Sequence, residues 1–167
     1  MTFEFAVRAT PEIEQHFQAG LKGVKGEHRA KLAKRSSCRW QGSVNLDDGL
    51  LNRYPAESRW DYAIGFRPAH KHDQVAFVEI HPASTGHVQA VLKKKAWLVS
   101  WLANKAPRLN AMPREGFFWA STDGVHIQDG SPQKRLLAQS GIRVVPRVKL
   151  GCPLGIKPSR TCRNTAA

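Results

Sequence analysis

The sequence predicts a single α/β domain with a central mixed sheet flanked by helices. Three observations carry that prediction. Apolar runs of strand length lie at residues 59–66, 74–81 and 116–121. The stretch from Thr85 to about Lys105 instead repeats its apolar residues at helical spacing. Finally, 167 residues of which 41% are hydrophobic make one domain with a proper core and exclude wholesale disorder.

Each element has its own signal. Phe3, Phe5 and Val7 alternate, which predicts a short edge strand over residues 3–8. Thr10-Pro11-Glu12 reads as a helix start, with the helix running through Ile13, Phe17 and Leu21 until Gly20, Gly23 and Gly26 weaken it. Helical character resumes over Glu27 to Lys34. Trp40, Val44 and Leu46 predict a strand near 40–46, followed by an Asp47-Asp48-Gly49 turn. Strands from Arg59 to Phe66 and from Gln74 to His81, joined by a polar loop, form an antiparallel hairpin. The helix from Thr85 is ended by Pro107 and capped most simply by Ser84 or Thr85. Strands at 116–121 and 125–128 follow, then a helix from Ser131-Pro132 to a Gly141 C-cap, then a strand from Val144 to Leu150. The domain thus spans 1–150, and residues 151–167 read as a mobile basic tail.

Charge narrows the partners. Lys plus Arg number 26 against 13 acids, a formal net charge of +13 that favours nucleic acid, DNA or RNA, over other partners. The excess is clustered: seven basic residues lie between Lys22 and Arg39 with Glu27 as the one acid, and six more follow from Arg143 with none. No apolar run approaches the ~20 residues needed to cross a bilayer, and the N-terminus lacks a secretory pattern, so the expectation is a cytoplasmic protein without a membrane partner. Three widely spaced cysteines, Cys38, Cys152 and Cys162, support neither a zinc ribbon nor a disulfide framework.

The chemistry is concentrated in the predicted hairpin. Alternation puts Val75, Phe77, Glu79 and His81 on one face of the second strand, and Asp61 with Ala63 and Gly65 on one face of the first. Trp60, Tyr62, Ile64 and Phe66 point the other way. A carboxylate in a strand is poorly solvated and needs a partner. Two converging carboxylates repel, and a divalent cation such as Mg²⁺ or Mn²⁺ relieves that repulsion, so Asp61 and Glu79 are candidate metal ligands. The alternative is structural: Asp61 caps the strand entry or pairs with Arg59 or Arg67, and Glu79 pairs with a Lys or His.

This order of helix, strand, strand with Asp61, strand with Glu79-x-His81, helix, strand resembles the PD-(D/E)XK nuclease superfamily over roughly residues 10–122. The resemblance implies a restriction-endonuclease-like core in which Asp61 and Glu79 hold Mg²⁺. His81 then stands where the superfamily has a lysine that helps to activate water. No proline precedes Asp61 directly. In relatives the lysine can migrate to the following helix. On a wheel of about 100° per residue Lys95 falls within the apolar face beside Val88, Val91, Leu92, Val99 and Leu102, which makes it the candidate, with snorkelling as the alternative. The resemblance also allows Glu27 a place at the metal. Trp97 and Trp101 lie outside that stripe. His70 and His72, with Asp73, are a weaker possibility for a transition metal in a solvated loop.

The resulting expectation is a metal-dependent nuclease with Asp61, Glu79, His81 and Lys95 as catalytic residues. A non-catalytic nucleic-acid-binding or adaptor protein on the same fold is the alternative.

Overall fold

The computed structural model describes residues 1–151, so the expected tail, Cys152 and Cys162 included, lies almost wholly outside the described residues. Helix α1 (Phe3–Arg8) replaces the strand expected there. Thr2 caps it by accepting the Phe5 N–H, and Phe3, Ala6 and Val7 turn inward at helical spacing while Phe5 is exposed. The helix expected from Thr10 to Leu21 shrinks to a 3-10 turn at Glu14–His16. Thr10 spends its hydroxyl on the Ala6 carbonyl, closing α1, and Gln18 pairs with Ser43 as an isolated bridge, which takes the backbone groups a helix needs. A second 3-10 segment, Gly26–Lys31, runs into strand β1 (Leu32–Lys34), where helix was also expected.

Strand β2 (Arg39–Asn45) is followed by helix α2 (Leu46–Leu50), which stands where the turn was expected because Asn45 accepts the Asp48 N–H and caps it. Strands β3 (Tyr62–Arg67) and β4 (Gln74–Ile80) form the expected antiparallel hairpin. After β5 (Ala83–Ser84) comes α3 (Val88–Lys105), the expected long helix. Pro107 both ends it and opens α4 (Pro107–Asn110). Then follow β6 (Arg114–Ala120), β7 (Val125–His126) and α5 (Pro132–Gln139), whose Ser131 cap and left-handed Gly141 match the sequence signals. The last expected strand is two, β8 (Ile142–Val145) and β9 (Val148–Leu150), parted at Pro146.

The main sheet has the order β2-β3-β4-β6-β8, antiparallel across β2, β3 and β4 and parallel from β4 onward. Parallel neighbours need crossovers, and α3 and α5 lie in them. The helices supply one face, packing Phe3, Leu50, Leu98 and Leu137 against Ala63, Phe77 and Trp119. The other face carries Tyr62, Ile64, Val78 and Phe118 and is covered by Val24 and by the parallel ribbon β1·β9 through Leu32, Val148 and Leu150. Trp60 belongs to the helix face despite its parity with Tyr62, because the strand starts only at Tyr62 and alternation does not extend before it.

Helix α1 is tied to this sheet by one buried carboxylate. Asp73, 2% exposed, accepts the Phe3 N–H at 2.9 Å and the Arg67 Nε at 2.6 Å. Asp73 is therefore committed to structure and not to a metal with His70 and His72, both of which are exposed. Gly65 makes room for the same helix, since a Cβ there would overlap the Phe3 ring.

A candidate carboxylate and lysine site at the end of the central hairpin

Register brings the two acids together. Tyr62 pairs with Val78 at the end of the hairpin, so Asp61 lies opposite Glu79, just past the last pair. Each then anchors the other's strand. The Asp61 N–H donates to Glu79 Oε2 at 3.1 Å, and the Ile80 N–H donates to Asp61 Oδ2 at 2.9 Å. One oxygen of each carboxylate is thus fixed by backbone, and the second turns to a common cation. That cation is the ammonium of Lys94, which donates to Glu79 Oε1 and lies 3.8 Å from Asp61 Oδ1. The paired-acid alternative fails for the arginines: Arg59 pairs with Asp47 and Arg67 with Asp73.

Lys94 corrects the expectation for Lys95. The buried residues of α3 are Val88, Val91, Leu98, Trp101 and Leu102, and Val99 is exposed. The inward stripe is therefore rotated from the one that included Leu92 and Val99, and Lys94 sits between Val91 and Leu98 along it. Trp101, placed outside the stripe by sequence, is inside and donates its indole N–H to Glu12 Oε2 at 2.8 Å. Lys95 turns to the other flank, where it donates to the Ser140 carbonyl at the end of α5 and lies over the Phe117 ring. Among the described residues its ammonium meets that carbonyl and that ring and neither acid. The signal that finds Lys94 is the i, i+3, i+4 line through Val91, Leu98 and Trp101, visible once Trp101 is counted as core.

His81 reaches the site, its Nε2 3.3 Å from Glu79 Oε1. Its Nδ1 lies 2.9 Å from the Pro82 carbonyl, so that nitrogen carries the proton, and the ring rests against Trp119 and His87. Ser84 bonds His87 Nδ1 at 2.8 Å and neither it nor Thr85 caps a backbone N–H of α3. Glu27 is exposed in the 3-10 segment and takes no part in the recorded contacts of either acid. Among the described residues no group of three or more His, Cys, Asp or Glu side chains converges as a metal site. A metal at this point would take its protein ligands from Asp61 and Glu79 alone.

The electrostatics follow from burial. Glu79 is fully buried, and burial together with the Asp61 charge pushes its carboxyl up to about 8, against the pull of Lys94. Asp61 is raised by burial as well. Burial pulls Lys94 down, but the charges of Glu79 and Asp61 outweigh it and hold the ammonium above its ordinary value. Burial lowers His81 to about 4, so it is neutral at pH 7.

These shifts set a pH dependence. A raised carboxyl keeps its proton longer in the folded chain, so stability falls as pH rises from the ordinary Glu value to about 8. His81 acts oppositely, but only between about 4 and 6.5, where the unfolded chain binds a proton that the folded chain does not. Between pH 6.5 and about 8 His81 no longer contributes, and the raised carboxyls, Glu79 foremost, set the slope. Metal-free protein is expected to lose on the order of 1–2 kcal/mol across that window in urea unfolding, and Glu79→Gln to lose clearly less. An equal decline in the variant would reject this origin.

Compared with protein-family models, curated proteins and solved structures, the chain shows no match. What it does must be read from its own geometry. No helix among the described residues is long and apolar enough to cross a membrane.

Proposed function

We propose that this protein is a metal-dependent nuclease acting on the phosphodiesters of nucleic acid. The observation that carries this reading is the convergence of Asp61, Glu79 and Lys94 at the end of adjacent strands, on the helix face of a +13 protein. Two acids on neighbouring antiparallel strands, a following helix and a parallel fourth strand support the reading, since the PD-(D/E)XK resemblance implies that order after its first helix. Lys94 supplies from the helix the ammonium that His81 does not supply from the strand.

What Asp61 and Glu79 offer a divalent ion is a pair of carboxylate oxygens. Each acid has one oxygen fixed by a backbone N–H and one turned to the Lys94 ammonium. Mg²⁺ or Mn²⁺, bound there, supplies Lewis-acid polarisation of a phosphodiester. The chain's own residues do the rest. Lys94 has three donors on a flexible stem and a charge that persists at neutral pH, suited to orienting a water or stabilising the developing negative charge. His81, neutral and tilted against Trp119, limits the space beside Glu79.

The second reading is a non-catalytic nucleic-acid-binding or adaptor protein on the same fold, favoured by His81 in the strand position. A cleavage assay with Mg²⁺ or Mn²⁺ on DNA and RNA separates them. Wild type should cleave only with metal, and Asp61→Ala and Glu79→Ala should not. The same background activity in all three proteins would sink the enzyme reading.

A further inference from the structure

The two basic clusters of the sequence, more than a hundred residues apart, meet on one side of the molecule. The first lines a cleft of about 370 Å³ walled by Lys22, Lys25 and Arg29, with Asn45 and Asp48 at its edge. All three basic side chains are exposed. The Gly26–Lys31 segment that forms one wall continues directly into β1. β1 pairs in parallel with β9, placing Ala33 beside Lys149, and Lys31 reaches the Pro146 carbonyl at 3.4 Å. Leu32, Val148 and Leu150 point into the core, so alternation turns Lys149 outward, and Arg147 is exposed beside it.

Sequence accounts for the charge but not for this union. Arg143 onward reads as a separate basic end, and only the β1·β9 pairing sets it next to the cleft. Opposing charge is sparse: Glu27 is exposed on the segment, and Asp48 is 3.9 Å from Lys25. The cleft is also linked to the carboxylate pair through backbone pairing. Its edge residue Asn45 pairs with Tyr62, the neighbour of Asp61, and the adjoining Leu46 N–H donates to the Asp61 carbonyl at 2.8 Å. The Tyr62 hydroxyl holds His28, within the cleft-forming segment, at 2.7 Å.

We infer that the cleft and the β1·β9 ribbon form one binding track for the phosphodiester backbone of a nucleic-acid strand, with Lys22, Lys25 and Arg29 at one end and Lys31, Arg147 and Lys149 at the other. Its chemistry is that of a repeating phosphate chain. Lys22, Lys25 and Arg29 share the cleft lining with the amide side chains of Gln15, Gln18 and Asn45. An anionic membrane surface would call for apolar residues among the cations, and the cleft lining offers Val24 alone, which is buried. The inference rests on the nucleic-acid part of the reading above, and names where that partner lies.

Each neutralised phosphate contact releases counterions, so the salt dependence of binding counts the contacts. Fluorescent single-stranded DNA, duplex DNA and RNA are titrated against the protein in EDTA over a range of salt. Lys22→Ala/Lys25→Ala/Arg29→Ala should flatten the slope of log affinity against log salt by about two for a single strand and nearly three for a duplex. Lys31→Ala/Arg147→Ala/Lys149→Ala should do the same. Lys71→Ala/Lys105→Ala/Arg108→Ala, equal in charge but outside both stretches, should change the slope by less than about one. Equal flattening by all three variants would reduce the track to net charge and overturn it. So would undiminished slopes in the first two, or equally strong binding to phosphatidylserine vesicles or polyglutamate. Because no metal is present, failure of cleavage leaves this result standing, and failure of the slopes leaves the carboxylate pair untouched.

Discussion

Lys94→Met is expected to lower metal-dependent cleavage by on the order of 10²- to 10⁴-fold, the range for loss of a positioned acid–base or charge-stabilising group. Lys95→Met should leave it within about threefold, since nothing of that size is being removed from the reacting centre. Methionine keeps the length and apolar stem of lysine and deletes the ammonium, so packing between Val91 and Leu98 is preserved while Glu79 and Asp61 lose their shared cation. The two acids then face each other without compensation, and the buried Glu79 carboxyl should hold its proton to still higher pH. Lys95 has other duties. Its ammonium meets the last carbonyls of α5 and the Phe117 ring, so its removal should appear as about 1 kcal/mol in unfolding and little in rate. Parallel cleavage and urea titrations of the two variants distinguish the roles. Loss of rate in Lys95→Met with retention in Lys94→Met would reverse the assignment.

Asp73→Ala should destabilise the protein by about 3 kcal/mol, the largest stability loss expected from a single polar side chain here. The carboxylate is buried and makes two charge-assisted bonds, to the Phe3 N–H and to Arg67 Nε. Alanine leaves the buried Phe3 N–H without its acceptor, although Arg67, 44% exposed, can turn to water. Phe3 is seated over Gly65 in the strand that follows Asp61, so loosening α1 uncovers part of the same strand. Asp73→Asn keeps an acceptor and should lose about half as much. Thermal and urea unfolding with hydrogen exchange at the Phe3 amide measure this. A loss below about 1 kcal/mol would show that the pairing adds little beyond its desolvation penalty.

The central hairpin, the long helix and the parity of Glu79 were legible because each depends on local periodicity. A period of two places Val75, Phe77 and Glu79 on one face whatever surrounds them, and Ser131-Pro132 begins a helix by its own capping chemistry. Residues 3–31 were misread because their hydrogen bonds are not local. Phe3 bonds Asp73, Gln18 bonds Ser43 and Gly23 packs on Ser43, so a segment with weak propensity follows its distant partners. Lys94 was missed by one residue: a wheel centred on hydrophobicity alone took exposed Val99 as core and left out Trp101.

By itself, then, the sequence determined the α/β class, the two acids on neighbouring strands and the excess of positive charge, all properties of composition and short-range alternation. Tertiary structure alone decided which lysine meets those acids and that the two basic clusters adjoin. The first depends on how α3 is rotated against the sheet, within a fraction of a helical turn. The second depends on the pairing of β1 with β9 across the whole domain. Neither angle nor pairing is a property of a short stretch of chain; both are set when the core closes and the side chains around them find room.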